Sequence, residues 1–169
     1  MVSPVPDADR VERLLDAWTR VLDETLDGFA EIVRDLGDDG VNAVPDVPGI
    51  NSVFALATHL NGVMDYWGAT VIGGNDVPRD RDAEFRARGT AEEALERIER
   101  VRTGWPHWWR AGLVDGVAAP EAAARVRRDP SEATAEWIAA HVLRDATQHL
   151  GRSQITRDVL RAEPGITRR

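Results

Sequence analysis

Residues 137–160 read WIAAHVLRDATQHLGRSQITRDVL. Apolar residues recur at helical spacing, and His141, Asp145 and His149 follow one another at intervals of four. On an α-helix such residues share a face, one turn apart. The stretch therefore predicts one long helix with a polar ladder on a face that also carries Ile138, Val142 and Ala146. Ionisable groups on a core-facing side are costly unless they are paired or bound to a metal. Residues eight apart lie about 12 Å from each other along the axis, whereas a metal holds its ligand atoms at roughly 2 Å. His141 and His149 are thus not expected to share one ion. The ladder leaves two pairings, His141 with Asp145 or Asp145 with His149, with His59 from upstream as a third ligand across a helical core.

Working upstream, Asp129-Pro130-Ser131-Glu132 has the form of a helix start, with a capping Asp, Pro at the first position and Glu at the third. The last helix is expected from there to about Arg161, stopped by Glu163-Pro164-Gly165 and followed by a basic tail. Residues 114–128 are rich in Ala, Gly and Arg and are read as a short helix or a lid. A capping box at Thr90-Ala91-Glu92-Glu93 opens a third helix bearing Ala94, Leu95, Ile98, Val101 and Trp105. Its outer face suggests i,i+4 pairs Glu93–Arg97 and Glu96–Arg100. Gly104 and Pro106 predict a break or kink near Trp105. The aromatic run Trp105-Pro106-His107-Trp108-Trp109 is read as filling the core, with a ligand-pocket wall as the alternative, and His107 as a satisfied core histidine.

The first half gives two more helices. One follows Asp7 as cap and repeats Val11, Leu14, Leu15, Trp18, Val21, Leu22, Leu26, Phe29, Ile32, Val33 and Leu36 before Gly37. Residues 1–6 read as a loose end. After a connector rich in Gly, Pro and Asp, Asn51 or Ser52 caps a second helix to about Ile72, with Val53, Leu56, Leu60, Val63, Met64 and Trp67 inward and His59 among them. Residues 73–89 read as a long polar loop. Four amphipathic helices with no period-two pattern predict an all-α four-helix bundle, a single domain over 1–169, with one or two connectors crossing it.

Composition bounds the function. The chain has 169 residues, a formal net charge of -8 and no cysteine, and all 21 basic residues are Arg. The negative balance argues against nucleic acid as a partner. Without cysteine there is no disulfide, thiolate nucleophile or thiolate ligand, so any thiol must come from outside. No apolar stretch is long enough for a membrane span, and the Met-Val-Ser-Pro start lacks a signal-peptide pattern; a cytoplasmic protein handling small molecules or other proteins is the expectation. Glu92, Glu93, Glu96 and Glu99 alternate with arginines, as a solvated face does, which disfavours a magnesium-dependent nucleotide hydrolase.

The two histidine-bearing segments, Pro48-Gly49-Ile50-Asn51-Ser52 leading to Leu56-x-x-His59-Leu60 and Asp65-x-Trp67, then His141-x-x-x-Asp145-x-x-x-His149-x-Gly151, resemble the DinB-like superfamily of metal-binding four-helix bundles. The branch they resemble contains mycothiol-dependent maleylpyruvate isomerase and related thiol S-transferases. The resemblance implies a left-handed up-down-down-up bundle, often a homodimer, to which a surplus of exposed-looking tryptophan also points, and a divalent metal, zinc or nickel, held by His59, Asp145 and His149. That branch usually has Glu at the position of Asp145, and often a His at that of Arg152. His141 is then expected beside the ligands as a partner of Asp145, with Arg152 and Trp67 as candidate substrate contacts. The implied activity is metal activation of a low-molecular-weight thiol for S-transfer or isomerisation of a small electrophile. The alternative is a bundle that binds metal or ligand without turnover.

Overall fold

The computed structural model describes residues 7–126 and 129–162, so the expectations for residues 1–6 and for the stop and tail after Ala162 lie outside the described residues. These residues form helices α1 (Ala8–Val41), α2 (Val53–Met64), α3 (Arg81–Arg86), α4 (Ala91–Val114) and α5 (Ala135–Ala162), with no strand among them. A π-helical segment, Asp65–Ile72, prolongs α2, and 3-10 turns cover Pro120–Val126 and Pro130–Glu132.

Caps written in the sequence set most of these ends. Asp7 accepts from the Asp9 amide at 3.1 Å and Ser52 from the Ala55 amide at 3.2 Å. The capping box forms in both directions, Thr90 Oγ1 taking the Glu93 amide and Glu93 Oε2 the Thr90 amide. Pro48-Gly49 turns the chain back with Gly49 at φ 82° and the Ile50 amide donating to the Val47 carbonyl at 3.3 Å, as a type II turn requires. Gly37 interrupts α1 at φ 58°, ψ -167°, and one further turn runs to Val41.

The side-chain pairs between helices give their directions. Along α1 and α4, Glu12 meets Arg110, and Asp23 and Asp27 meet Arg102, so these helices are antiparallel. Along α1 and α5, Arg10 meets Glu136 and Asp35 meets Arg161, so these are parallel. On α2 and α4, Asn61 faces Arg100 and Gly68 faces Trp108, again parallel. The order is therefore up-down-down-up. Helix α1 packs chiefly on α4 and α5, and α2 on α4, so among consecutive long helices only α2 and α4 are main neighbours. Because α2 and α4 run parallel, the connector between them, residues 73–90, has to return along the bundle.

The core holds Leu22, Leu26, Phe29, Val33, Phe54, Leu56, Trp105, Trp109 and Ile138, all essentially inaccessible. Trp105 stacks on Trp109 at 5.4 Å, and Trp18 meets Trp109 edge-on at 5.7 Å. These rings fill the core, as the first reading of the aromatic run has it.

Several expectations are corrected. The break near Trp105 does not occur, since α4 passes through Pro106 to Val114. Proline costs about 3 kcal/mol in a helix interior, and burying two tryptophans on either side offsets it. His107 is exposed, against Trp108, and is not a core histidine. None of the six tryptophans is exposed. Arg97 lies over the Phe54 ring at 4.7 Å, and Arg100 reaches Asn61 and Asp65 on the neighbouring helix rather than Glu96. Asp129 caps only a single 3-10 turn, and α5 starts at Ala135, where the Thr134 hydroxyl takes the Trp137 amide at 3.2 Å. The 73–89 stretch is not all loop: Asp80 accepts from Ala83 at 2.9 Å and starts α3.

The conformation of Gly37 is one that residues with a Cβ avoid, although open space surrounds it. Gly37→Ala should therefore cost about 1–3 kcal/mol through backbone strain alone. For a chain of this size the loss corresponds to roughly 2–12 °C in Tm. An unchanged thermal melt would show that the break carries no strain.

Candidate metal centre

His59 lies in the middle of α2, on the face carrying Leu56, Leu60 and Val63. Asp145 and His149 lie one turn apart on α5, among Val142 and Ala146. The two helices run antiparallel, with Asn51 opposite Thr156 and Trp67 opposite His141. That register brings His59 level with the Asp145–His149 turn. His59 and His149 are 3% and 5% exposed, and Asp145 is half-buried.

Asp145 Oδ2 stands 3.8 Å from His59 Nε2 and 3.6 Å from His149 Nε2. One donor atom from each of the three residues lies within 4.8 Å of the others. Contacts of 3.6 Å and more are too long for hydrogen bonds. Ligand atoms each ~2 Å from a tetrahedral ion sit about 3.3 Å apart, a few tenths of an ångström less than the two distances from Asp145. Two imidazoles and one carboxylate are also a donor set that divalent zinc accepts with positions left for substrate. The residues therefore fit a divalent ion, and they are the three the resemblance implies.

The electrostatics suit the same use. Burial holds the His149 ring down at about 4, with His59, Arg152 and Arg81 adding to the effect and Asp145 opposing it. His149 is thus neutral near neutral pH, with lone-pair character available. Burial also works against charge on His59, but Asp145 and Glu84 overcome it and raise its pKa above the ordinary value. Burial would raise Asp145, yet His59, His149 and His141 hold it below the usual carboxylate range.

The other predicted residues are placed as follows. His141 stacks on Trp137 at 4.9 Å, lies edge-on to Trp67 at 4.9 Å, and takes a hydrogen bond from Arg144 at Nδ1, 3.0 Å. It falls outside the three-residue cluster and acts on Asp145 through its charge. Trp67 is 3% exposed and packs against Tyr66 and Trp137. Arg152 is exposed, and its charge is felt at His149.

Sequence reasoning missed Glu84, Phe85 and Arg79. The Phe85 ring stacks on His59 at 4.6 Å, and Glu84 Oε2 is 2.7 Å from His59 Nδ1. The signal was present but faint: Asp80 as a cap before Ala83-Glu84-Phe85-Arg86.

The chain is thus an all-α bundle whose second and last long helices bring together a His, Asp, His cluster that could hold a metal. The mycothiol-S-transferase family model matches residues 10–162, and the chain belongs to that DinB-like family. No curated protein matches it.

His59→Ala or His149→Ala should abolish stoichiometric binding of zinc, read by mass spectrometry after dialysis. His141→Ala should keep most of it. Full retention in both of the first two variants would rule out the cluster as a metal centre.

Proposed function

We propose that the protein is a metal-dependent S-transferase that joins the sulfur of a mycothiol-like thiol to a small electrophile, or isomerises an acceptor through a transient thiol adduct. The observation that supports this is the buried cluster of His59, Asp145 and His149 at ligand spacing, in a chain of the mycothiol-S-transferase family. Zinc suits the donor set best, with nickel as the alternative. A bound divalent ion supplies a lowered thiol pKa, so that thiolate is present near neutral pH.

The chain's own residues take the remaining tasks. It has no cysteine, so the sulfur belongs to a cosubstrate. His149 stays neutral as a ligand. The Asp145 carboxylate limits the net positive charge of the centre. Arg152 and Arg81, whose charges reach His149, form a cationic rim. An arginine grips a carboxylate in a bidentate way, and we assign Arg152 to an acidic group of the thiol or the acceptor. Trp67 backs the half-buried Trp137 and His141, and through them bounds the substrate on the apolar side. No described helix is long and apolar enough to cross a membrane. A cytoplasmic location and a small-molecule substrate are part of the proposal.

Purified protein should contain about one zinc per chain and consume thiol when offered a panel of electrophiles, both lost on chelation. Thiol loss that is indifferent to metal would refute metal dependence, and metal without any thiol loss would favour a binding bundle. Arg152→Gln should raise KM several-fold with metal content unchanged, as when uniform binding is lost. Unaltered kinetics with a lower Tm would make Arg152 a structural residue.

A homodimer is part of the same proposal and rests on the family resemblance, since the tryptophans, none of them exposed, give it no support. Light scattering at micromolar concentration should give twice the chain mass; a monomer mass would exclude it.

A further inference from the structure

Glu84 is the only Asp or Glu among the fully buried described residues, at 8% exposed. It comes from α3, a six-residue helix inside the polar connector. Its carboxylate has two partners. Oε2 lies 2.7 Å from His59 Nδ1. Arg79 donates from Nε to Oε1 at 2.7 Å and from its terminal nitrogen to Oε2 at 3.0 Å. A carboxylate clamped by a guanidinium is ionised and can only accept. His59 must then donate from Nδ1, and in the neutral ring the lone pair is at Nε2, the atom that faces Asp145.

The site is shaped for this carboxylate. Gly62 lies on α2 one turn after His59, and a Cβ built on it would stand 1.9 Å from Glu84 Oε1. Any side chain at position 62 would therefore expel the carboxylate. The next residue of α3, Phe85, stacks on the same imidazole, with the Arg81 guanidinium 5.1 Å over its outer face. The far end of the connector is fastened by Asn42, whose side-chain amide donates to the Gly89 carbonyl at 2.7 Å and accepts from its amide at 3.0 Å.

We infer that Glu84 is a positioning residue for the metal centre: through Nδ1 it fixes the tautomer and orientation of His59, so that Nε2 is the ligating atom. Arg79 holds Glu84 ionised, and Gly62 provides its space. The inference rests on the metal reading for its purpose, but the hydrogen bond itself exists in the metal-free protein. A histidine ligand whose other nitrogen donates to a carboxylate is a better-oriented and more basic donor, and loss of such a partner typically weakens metal binding about 10–100-fold.

Two measurements on wild type, Glu84→Ala, Glu84→Gln and Gly62→Ala decide it. The first is the imidazole tautomer of His59 in metal-free, nitrogen-15-labelled protein at alkaline pH, from long-range proton–nitrogen correlations. Wild type should show the Nδ1–H form. Glu84→Ala and Gly62→Ala should shift toward Nε2–H, and Glu84→Gln, which still offers an amide oxygen, should restore much of the wild-type signal. The second is zinc affinity by competition with a chromophoric chelator. Glu84→Ala and Gly62→Ala should bind about 10–100-fold more weakly and Glu84→Gln should fall between.

An unmoved tautomer, or zinc affinities within about twofold of wild type in every variant, would overturn the inference. A lower Tm with neither readout changed would make Glu84 a structural anchor of α3 and also overturn it. Should Glu84→Ala fail to fold, Gly62→Ala carries both readouts with the glutamate still present. Wild-type protein that binds no zinc refutes the metal reading, and the tautomer comparison still decides what Glu84 does to His59.

Discussion

A single oxygen atom, Oδ2 of Asp145, faces imidazole nitrogens from two helices at once. Placing three ionisable groups in a bundle interior is expensive, and their mutual arrangement is what makes it tolerable. The arrangement holds only if α2 and α5 keep one register. A slip by one turn would set His59 against His141 or Ser153 instead. The long interfaces either side of the cluster enforce that register, from Asn51 against Thr156 to Trp67 against His141.

The up-down-down-up order follows from the same requirement. It sets α2 antiparallel to α5 while both lean on helices that are themselves tied together by Arg102 and Arg110 to the acidic face of α1. Exposed pairs of that kind contribute little energy each. Their value here is geometric, as they fix how far α4 can slide along α1. Around the cluster the packing is aromatic and dense, so His59 is held by Phe85 on one side and His149 on the other.

Much of this could be read from the residues in order. The helices, their caps and the inward face of His59 depend on neighbours within a turn or two, which a sequence displays directly. The Asp145–His149 pair was legible for the same reason, and choosing it over His141 needed the family resemblance. What could not be read are contacts set by chain distant in sequence. Glu84 meets His59 across a 25-residue separation, and nothing in the polar stretch around it marks that carboxylate as buried. Arg100 was expected to pair along its own helix because that partner was visible, whereas Asp65 on the neighbouring helix competes better. His107 was misjudged because Trp105 and Trp109, on the opposite side of α4, take the interior.

The double hydrogen bond between Asn42 and Gly89 imitates a short stretch of sheet pairing between two loops. With the Asp38 carboxylate on the Ala91 amide, it moors the end of the α2–α4 connector to the end of α1. The portion carrying Arg79 and Glu84 is thereby held at both of its own ends, by the ion pair before α3 and by this mooring after it. Gly73 through Pro78 is largely exposed and includes Gly74 at φ 71°, and the amides of Gly73, Gly74 and Asn75 bond back to the preceding segment. Extra length inserted between Asp76 and Pro78, beyond those bonds, would leave the imidazole that Glu84 touches where it is. The same insertion placed between Phe85 and Gly89 would pull the carboxylate away, so the two halves of one polar connector differ in the added length they can absorb.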